Sequence, residues 1–372
     1  MTISDIKSNT YSILNKWKDC SDFIQTVKNK KPLFVLVIGA TATSLIPGIS
    51  AAGRNTEELK LTPALDAEYL VLIQEKFNKK IPVSPSGIPS PVILTKAVLK
   101  LLGIDIVVID AGAYIKPECE HISLNMGPGE CISTGNSLGP IKTKFLLQKG
   151  EKFSQNLKSK YDYVIVGECI PGGTTTGLSL LASLGIDAFD LTSSSSPEGN
   201  HFIKNFTVKE ALMNHVSKFS DIKNNPVKAL EYFGDPVQAF ITGFLKGTQK
   251  ENLPVLLAGG SQMIAIYYLT KLMLEHSLYE TVIGSTSWVA NDKNAKVKRL
   301  CELTDAPFMF SNVSFSSSQF DGLKAYEEGH IKEGVGAGGM MIAANLYKNF
   351  SLDEIFNAIE TEYQSVKDRT HA

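Results

Sequence analysis

Two glutamates in glycine-rich surroundings are the residues of this chain best placed to do chemistry. The first lies in Gly167-Glu168-Cys169-Ile170-Pro171-Gly172-Gly173-Thr174-Thr175-Thr176, an acid followed by glycines and three threonines. Glycines let backbone N–H groups approach an anion, and hydroxyls at a helix start add donors where the helix dipole favours negative charge. The spacing fits a GxxxxGxT phosphate loop, but Gly173 stands where a Walker loop has its lysine, so this is a poor NTPase motif. Without its acid the segment would read as an ordinary glycine-threonine helix start. Glu168 within it points to function.

The second is Glu333, directly ahead of Gly334-Val335-Gly336-Ala337-Gly338-Gly339. The string fits GxGxxG, yet only residues 340–372 follow it, too few for the βαβ unit of a dinucleotide site. Its glycines serve better as a wall of close approach just ahead of a helix. Taken alone, Glu333 reads as a solvated side chain ending the charged run Glu327–Glu333.

Other segments say less. Ser193–Ser196, Pro197, Glu198, Gly199 and Asn200 form a polar loop that could close over a phosphate, with Lys204 and Lys209 downstream. Gly234-Asp235-Pro236 and Gly259-Gly260-Ser261-Gln262 read as turns at helix starts. Ile46–Gly53 and Thr62–Glu68 are clusters of small residues. The six histidines lack ligand spacing, so no metal site is expected. No GxSxG elbow signals a serine nucleophile. The five cysteines (Cys20, Cys119, Cys131, Cys169, Cys301) never form a CxxC pair, which fits a reducing cytosol and gives no disulfide framework.

Such loops need elements to hold them. Apolar runs at Leu33–Ile38, Ile104–Ile109, Tyr163–Val166, Val255–Ala258, Thr281–Ile283 and Pro307–Phe310 each lead into a glycine- or serine-containing turn. Helical patterns at Pro91–Leu102, Thr175–Leu184, Val237–Lys246 and Ile264–Leu274 lie between them. Continuous apolar strands alternating with helices predict an α/β fold: a doubly wound, mostly parallel sheet in a Rossmann-like three-layer arrangement. Residues 31–339 are expected to form this main domain. The ends, 1–30 (with Ile3, Ile6, Tyr11, Ile13, Leu14 and Trp17 on one face) and 340–372, are expected to be helical and to pair as a small accessory lobe. The chain has 372 residues, 43% of them hydrophobic, so a sizeable core is within reach. With 37 basic and 38 acidic side chains it lacks the basic excess of a nucleic-acid binder. Val255–Leu274 is interrupted by Gly259, Gly260, Ser261, Gln262 and Lys271, so no membrane span is expected. A cytoplasmic protein is the expectation.

Taken together, these segments resemble the nicotinate-nucleotide:dimethylbenzimidazole phosphoribosyltransferase family of cobalamin lower-ligand synthesis, most closely its divergent archaeal and cyanobacterial branch. Gly167–Thr175 resembles the family's G-E-M-G-I-G-N-T-T phosphate loop. Lys332–Gly338 resembles L-G-E-G-T-G-A, which carries the catalytic glutamate. Val107–Gly112 resembles the V-V-D-V-G strand end, and Phe233–Gln238 falls where the family has V-G-G-x-E. The similarity runs in the same order through most of residues 85–350. The chain departs from the family at Gly173, in place of asparagine, and at Pro171. The family's aspartate-histidine-glycine segment and its benzimidazole-holding serine and glutamine have no counterpart. Gly39–Gly53 and Thr62–Glu68 occupy their region.

The resemblance implies transfer of ribose phosphate from nicotinate mononucleotide to a nitrogenous base, dimethylbenzimidazole-like or purine, giving an α-ribotide. The unmatched holding residues point away from dimethylbenzimidazole itself. Glu333 would be the general base, and Glu168 would sit near the ribose. Gly172, Gly173, Thr174 and Thr175 would anchor the phosphate, with Lys209 as counter-charge. No cofactor or metal is called for, and a homodimer is implied. A nucleotide glycohydrolase, or a non-catalytic nucleotide-binding protein, remains an alternative.

Overall fold

The computed structural model describes residues 9–371 apart from 74, 75, 78 and 195–199. Ile3 and Ile6 of the N-terminal stretch, and Ser195–Gly199 of the serine loop, lie outside the described residues. In chain order the strands are β1 (Tyr11–Asn15), β2 (Pro32–Gly39), β3 (Ile106–Gly112), β4 (Ile122–Ser123), β5 (Tyr163–Cys169), β6 (Val255–Ala258), β7 (Thr281–Thr286) and β8 (Phe308–Ser311). They form one sheet in the order β1-β8-β7-β6-β5-β2-β3-β4. Every neighbouring pair is parallel except β1 with β8. The α/β doubly wound expectation is met.

The apolar runs become strands because both faces of the sheet are covered. In β2, Phe34, Leu36 and Ile38 enter one core, shared with helices Val92–Leu102, Ala337–Lys348 and Leu352–His371. Leu33, Val35 and Val37 enter the opposite core, shared with helices Gly139–Ser154, Pro236–Glu251 and Ser261–Leu274. Alternate side chains of one strand therefore feed two layers, as the pleat requires.

From β2 the chain winds outward to β3 and β4, then returns to β5 on the other side of β2 and continues to β8. The winding reverses between β2 and β5, and open α/β sheets bind ligands beyond the carboxyl ends of the strands at such a point.

The chain ends do not form the lobe expected of them. Tyr11–Asn15 is a strand that pairs antiparallel with β8, not part of a helix. Cys20, Phe23, Ile24 and Val27 of helix Trp17–Val27, Met340–Ala344, and Ile355 and Ile359 of the last helix all belong to the main core. Together with helix Val92–Leu102 they cover one face of the sheet, and burying their apolar faces there wins over a separate lobe.

Candidate active site

A cleft of about 670 Å³ opens beyond the carboxyl ends of β2 and β5, at the reversal of winding. Segments following β2, β5 and β6, the loop Pro82–Pro91, and the stretch ahead of helix Ala337–Lys348 all contribute to its walls. Both glutamates are among its lining residues.

Close backbone approach brings them together. A Cβ on Gly167 would sit 3.2 Å from Gly336 Cα, and a Cβ on Gly336 would sit 3.2 Å from Gly167 Cα. Only glycine at both positions lets the strand end and the glycine string touch, and Gly336 also adopts φ +78°. The Val335 N–H then donates to the Glu168 carbonyl (3.0 Å), and Thr95 Oγ1 donates to the Val335 carbonyl (3.0 Å). These two bonds hold Val335 at φ +55°, a strained conformation for a β-branched residue. The expected wall of close approach is present.

The Glu333 carboxylate accepts from the backbone N–H groups of Gly334 (3.1 Å) and Gly338 (3.2 Å) and from Ser285 Oγ (3.1 Å). The Glu168 carboxylate accepts from the Ile170 N–H (3.1 Å). Both side chains keep an edge open to the cleft while protein encloses the remainder. Burial pushes Glu333 up to about 7 against the pull of its donors. It pushes Glu168 up to about 8, helped by the charges of Asp235 and Glu333. The solvated reading of Glu333 therefore fails: the charged run before it turns inward at Lys332, itself buried. Two acids with raised pKa in one cleft can exchange protons near neutrality and stabilise a cationic centre.

Gly172 (φ +76°) caps helix Gly173–Ser183, and Gly172, Gly173 and Thr174 line the cleft. Thr175 does not. It is fully buried, its N–H donates to the Gly172 carbonyl (2.9 Å), and its hydroxyl faces protein without a partner among the described residues. Lys209 also falls outside the cleft. It is exposed, with Nζ 4.9 Å over the Phe189 ring. Lys204 of the same helix points inward, and five residues on, the side chain is rotated about 140° around the axis. The lysine lining the cleft is Lys332, whose Nζ meets Asp292 (3.1 Å) and donates to the Ser194 carbonyl (2.6 Å). Lys204 Nζ donates to the carbonyls of Thr192 and Ser193, and burial pulls its ammonium down to about 7. These lysines brace the serine loop rather than stand free.

Sequence reasoning also passed over the support beneath the loop. Asp235 caps helix Pro236–Glu251 through the Gln238 N–H (2.8 Å), and its second oxygen accepts from Thr176 Oγ1 and Gln262 Nε2 (both 2.6 Å). The turn reading of Gly234-Asp235-Pro236 was sound but incomplete, because these partners come from distant segments. Asn200 Nδ2 donates to the carbonyls of Gly48 and Ile49, tying the serine loop to the segment after β2. Asp66, within the small-residue cluster Thr62–Glu68, also reaches the cleft.

The family model described as phosphoribosyltransferase matches residues 95–286, a span that includes Glu168 and the loop after it. The chain belongs to this family. Its relatives include the UPF0284 protein of the archaeon Sulfurisphaera tokodaii, 36% identical over 339 residues, covering 91% of this chain and 95% of the relative. The UPF0284 protein of the cyanobacterium Crocosphaera subtropica is 35% identical, covering 94% and 95%. Among solved structures, the nicotinate-nucleotide-dimethylbenzimidazole phosphoribosyltransferase of Thermus thermophilus superposes with a TM-score of 0.59 at 13% identity, covering 92% of this chain and 86% of the other. A CobT structure from the same organism gives 0.60 at 12% identity, covering 95% and 92%. The chain thus shares their fold and belongs to the archaeal and cyanobacterial branch that the resemblance indicated. No helix among its described residues is long and apolar enough to cross a membrane.

Proposed function

We propose that this phosphoribosyltransferase moves the ribose phosphate of nicotinate mononucleotide onto a nitrogenous base, giving an α-ribotide of the kind used as a cobamide lower ligand. The observation that carries this reading is the meeting of Glu168 and Glu333 at the carboxyl end of β5, beside a helix start that lines the same cleft.

The nicotinate ring of the donor is already a pyridinium. When its bond to C1′ breaks, the electron pair returns to the ring nitrogen and a neutral pyridine ring leaves without being protonated. The base attacks C1′ from the opposite face, which converts a β-nucleotide into an α-ribotide in a single displacement. Its ring N–H proton goes to Glu333, whose carboxyl, pushed up by burial to about 7, suits a general base near neutral pH. Glu168 sits beside the ribose. The cationic donor and the oxocarbenium-like centre favour its ionised form, so it supplies negative charge where positive charge develops. Gly172, Gly173 and Thr174 receive the phosphate at the helix start. At about 670 Å³ the cleft falls within the usual range for small-molecule sites.

The test is product analysis on nicotinate mononucleotide with and without added base. Nicotinate and an α-ribotide formed only with base support transfer. Nicotinate and free ribose phosphate formed without base would make the chain a glycohydrolase, and no nicotinate in either case would remove the catalytic reading.

A further inference from the structure

The segment that carries Glu333 runs through backbone that its own side chains resist. Among the described residues, twelve other than glycine have positive φ, and of these only Ile331 (φ +40°) and Val335 (φ +55°) are β-branched. They stand two residues before and two residues after Glu333. A branched Cβ makes the left-handed region costly, and such positions persist only where the surroundings over-determine them. The surroundings do so from both sides. Ahead of the acid, the Lys332 carbonyl accepts from Thr286 Oγ1 (2.5 Å), while Lys332 Nζ meets Asp292 and the Ser194 carbonyl. Behind it, the Val335 N–H donates to the Glu168 carbonyl, and the Val335 carbonyl accepts from Thr95 Oγ1 (both 3.0 Å). Thr95 is fully buried in helix Val92–Leu102 and does not line the cleft. Its hydroxyl reaches a residue 240 positions away instead of the carbonyl one turn earlier in its own helix, the usual local partner of a helical threonine. The start of that helix abuts the same segment, since a Cβ on Gly334 would lie 3.2 Å from Pro91 Cγ.

Resting on the transferase reading, we propose that Thr95 is a positioning residue for the general base: its bond to the Val335 carbonyl keeps the Glu333 segment in this strained conformation, against the end of β5. Relaxing Val335 to negative φ turns its N–H and its carbonyl relative to each other, so the bonds to Glu168 and to Thr95 cannot both survive. The close approach of Gly336 to Gly167 is then lost, and Glu333 leaves the acid it works beside. The carboxylate's own bonds do little to prevent this. Of its three donors, Gly334 and Gly338 flank it in the same segment and move with it, and only Ser285 ties it to another strand. Thr95 touches neither donor nor base in this reading; it acts through Val335.

The experiment is a cycle between Thr95 and Val335, read with nicotinate mononucleotide and the base that supports transfer in wild type. Thr95→Val keeps the shape and removes the hydroxyl. Its kcat is expected to fall about tenfold or more while calorimetric affinity for nicotinate mononucleotide stays within about twofold, and Thr95→Ser is expected to keep kcat within about threefold of wild type. Glycine takes positive φ freely, so in a Val335→Gly background the loss from Thr95→Val is expected to shrink below about threefold. A loss of equal size in both backgrounds, a fall in affinity that matches the fall in kcat, or no loss from Thr95→Val would each overturn the role and leave transfer intact. Denaturation reads the strain without turnover. Alanine is more stabilising than glycine at an ordinary position, and the order reverses where φ is positive. Val335→Gly is therefore expected to have a higher denaturation midpoint than Val335→Ala. The opposite order would overturn the proposal, and it decides alone if Thr95→Val does not fold. Absence of turnover by wild type with any base would overturn the transferase reading and the role of Thr95 in it, whatever order the two Val335 variants show.

Discussion

Two helices of this molecule begin in the same way and differ in what meets their first turn. Helix Gly173–Ser183 and helix Ala337–Lys348 each follow a glycine in the left-handed region, Gly172 at φ +76° and Gly336 at φ +78°, and neither cap residue contributes a side-chain bond. At the second, the Gly338 N–H is bonded to the Glu333 carboxylate, so the protein supplies its own anion. At the first, the neighbouring acid turns back to the Ile170 N–H, and Thr174 faces the cleft. Glycine strings thus set the shape of a helix start but not its occupant. One start holds the Glu333 carboxylate in place and the other opens onto the cleft.

If that division is right, removing the internal anion should harm chemistry and not donor binding. Glu333→Gln keeps shape but cannot take a proton. Its kcat is expected to fall about 10²–10⁴-fold, the usual loss for a general base, with calorimetric affinity for nicotinate mononucleotide nearly unchanged. Full activity would remove Glu333 from the role, and equal loss of binding and rate would make it structural. The same variant has a stability signature. In the unfolded chain a glutamate titrates near about 4.3, whereas in the folded protein Glu333 titrates at about 7. Below the unfolded value both states are protonated and the group costs nothing. Between the two values the unfolded chain ionises first, so stability falls as pH rises and levels off above the folded value. The thermal midpoint of wild type should therefore drop more between about pH 5 and pH 7.5 than that of Glu333→Gln.

The glycine wall should fail by destabilisation. A Cβ at Gly338 would land on the Ser285 carbonyl group, which is backbone and cannot swing aside. Gly338→Ala is expected to cost about 1–3 kcal/mol or more in chemical denaturation, as overpacking does, and to displace Glu333 so that activity falls as well. Wild-type stability in that variant would mean that the close approach is not a constraint.

The sheet was readable because parallel strands buried on both faces appear as continuous apolar runs, and Val255–Ala258 matches β6 residue for residue. Tyr11–Asn15 misled because Tyr11, Ile13, Leu14 and Trp17 also suit a helical face, and only the exposed edge of β8 decides in favour of a strand. Helix Gly139–Ser154 went unseen because Gly139, Gly150 and several lysines blur its periodicity, while Gly150 is in fact where it packs closely on helix Pro236–Glu251. Glu168 and Glu333 stood out in sequence because acids beside glycines are locally unusual. Asp66 did not, since the partner that places it in the cleft, Cys169, lies 103 residues away.

At the helix start that faces the cleft the expected effect is on binding alone. Thr174→Ala removes a hydroxyl bordering the cleft and should weaken nicotinate mononucleotide by about 1–3 kcal/mol if that hydroxyl meets a charged phosphate oxygen. Thr175→Ala should not, because its hydroxyl is enclosed by protein. Calorimetry on the pair separates them. Equal losses, or none in either, would show that the phosphate sits elsewhere.

The smallest expected effect is at Lys209, and it sharpens the comparison because a phosphate site would gain most from a nearby cation. The side chain is exposed and its Nζ lies over the Phe189 ring, outside the residues that line the cleft. Lys209→Ala should therefore leave both the affinity for nicotinate mononucleotide and kcat nearly unchanged. What it removes is a surface cation–π contact, worth about 0.5–1 kcal/mol of stability at an exposed site. Lys332→Ala is the informative contrast: it unpairs the buried Asp292 and frees the Ser194 carbonyl at the wall of the cleft, so it should lower both stability and donor affinity. A loss of donor affinity of about tenfold in Lys209→Ala, roughly 1.4 kcal/mol, would mean that helix His201–Asn214 turns on binding to bring that lysine to the phosphate, and that the cation for the cleft-facing helix start comes from there.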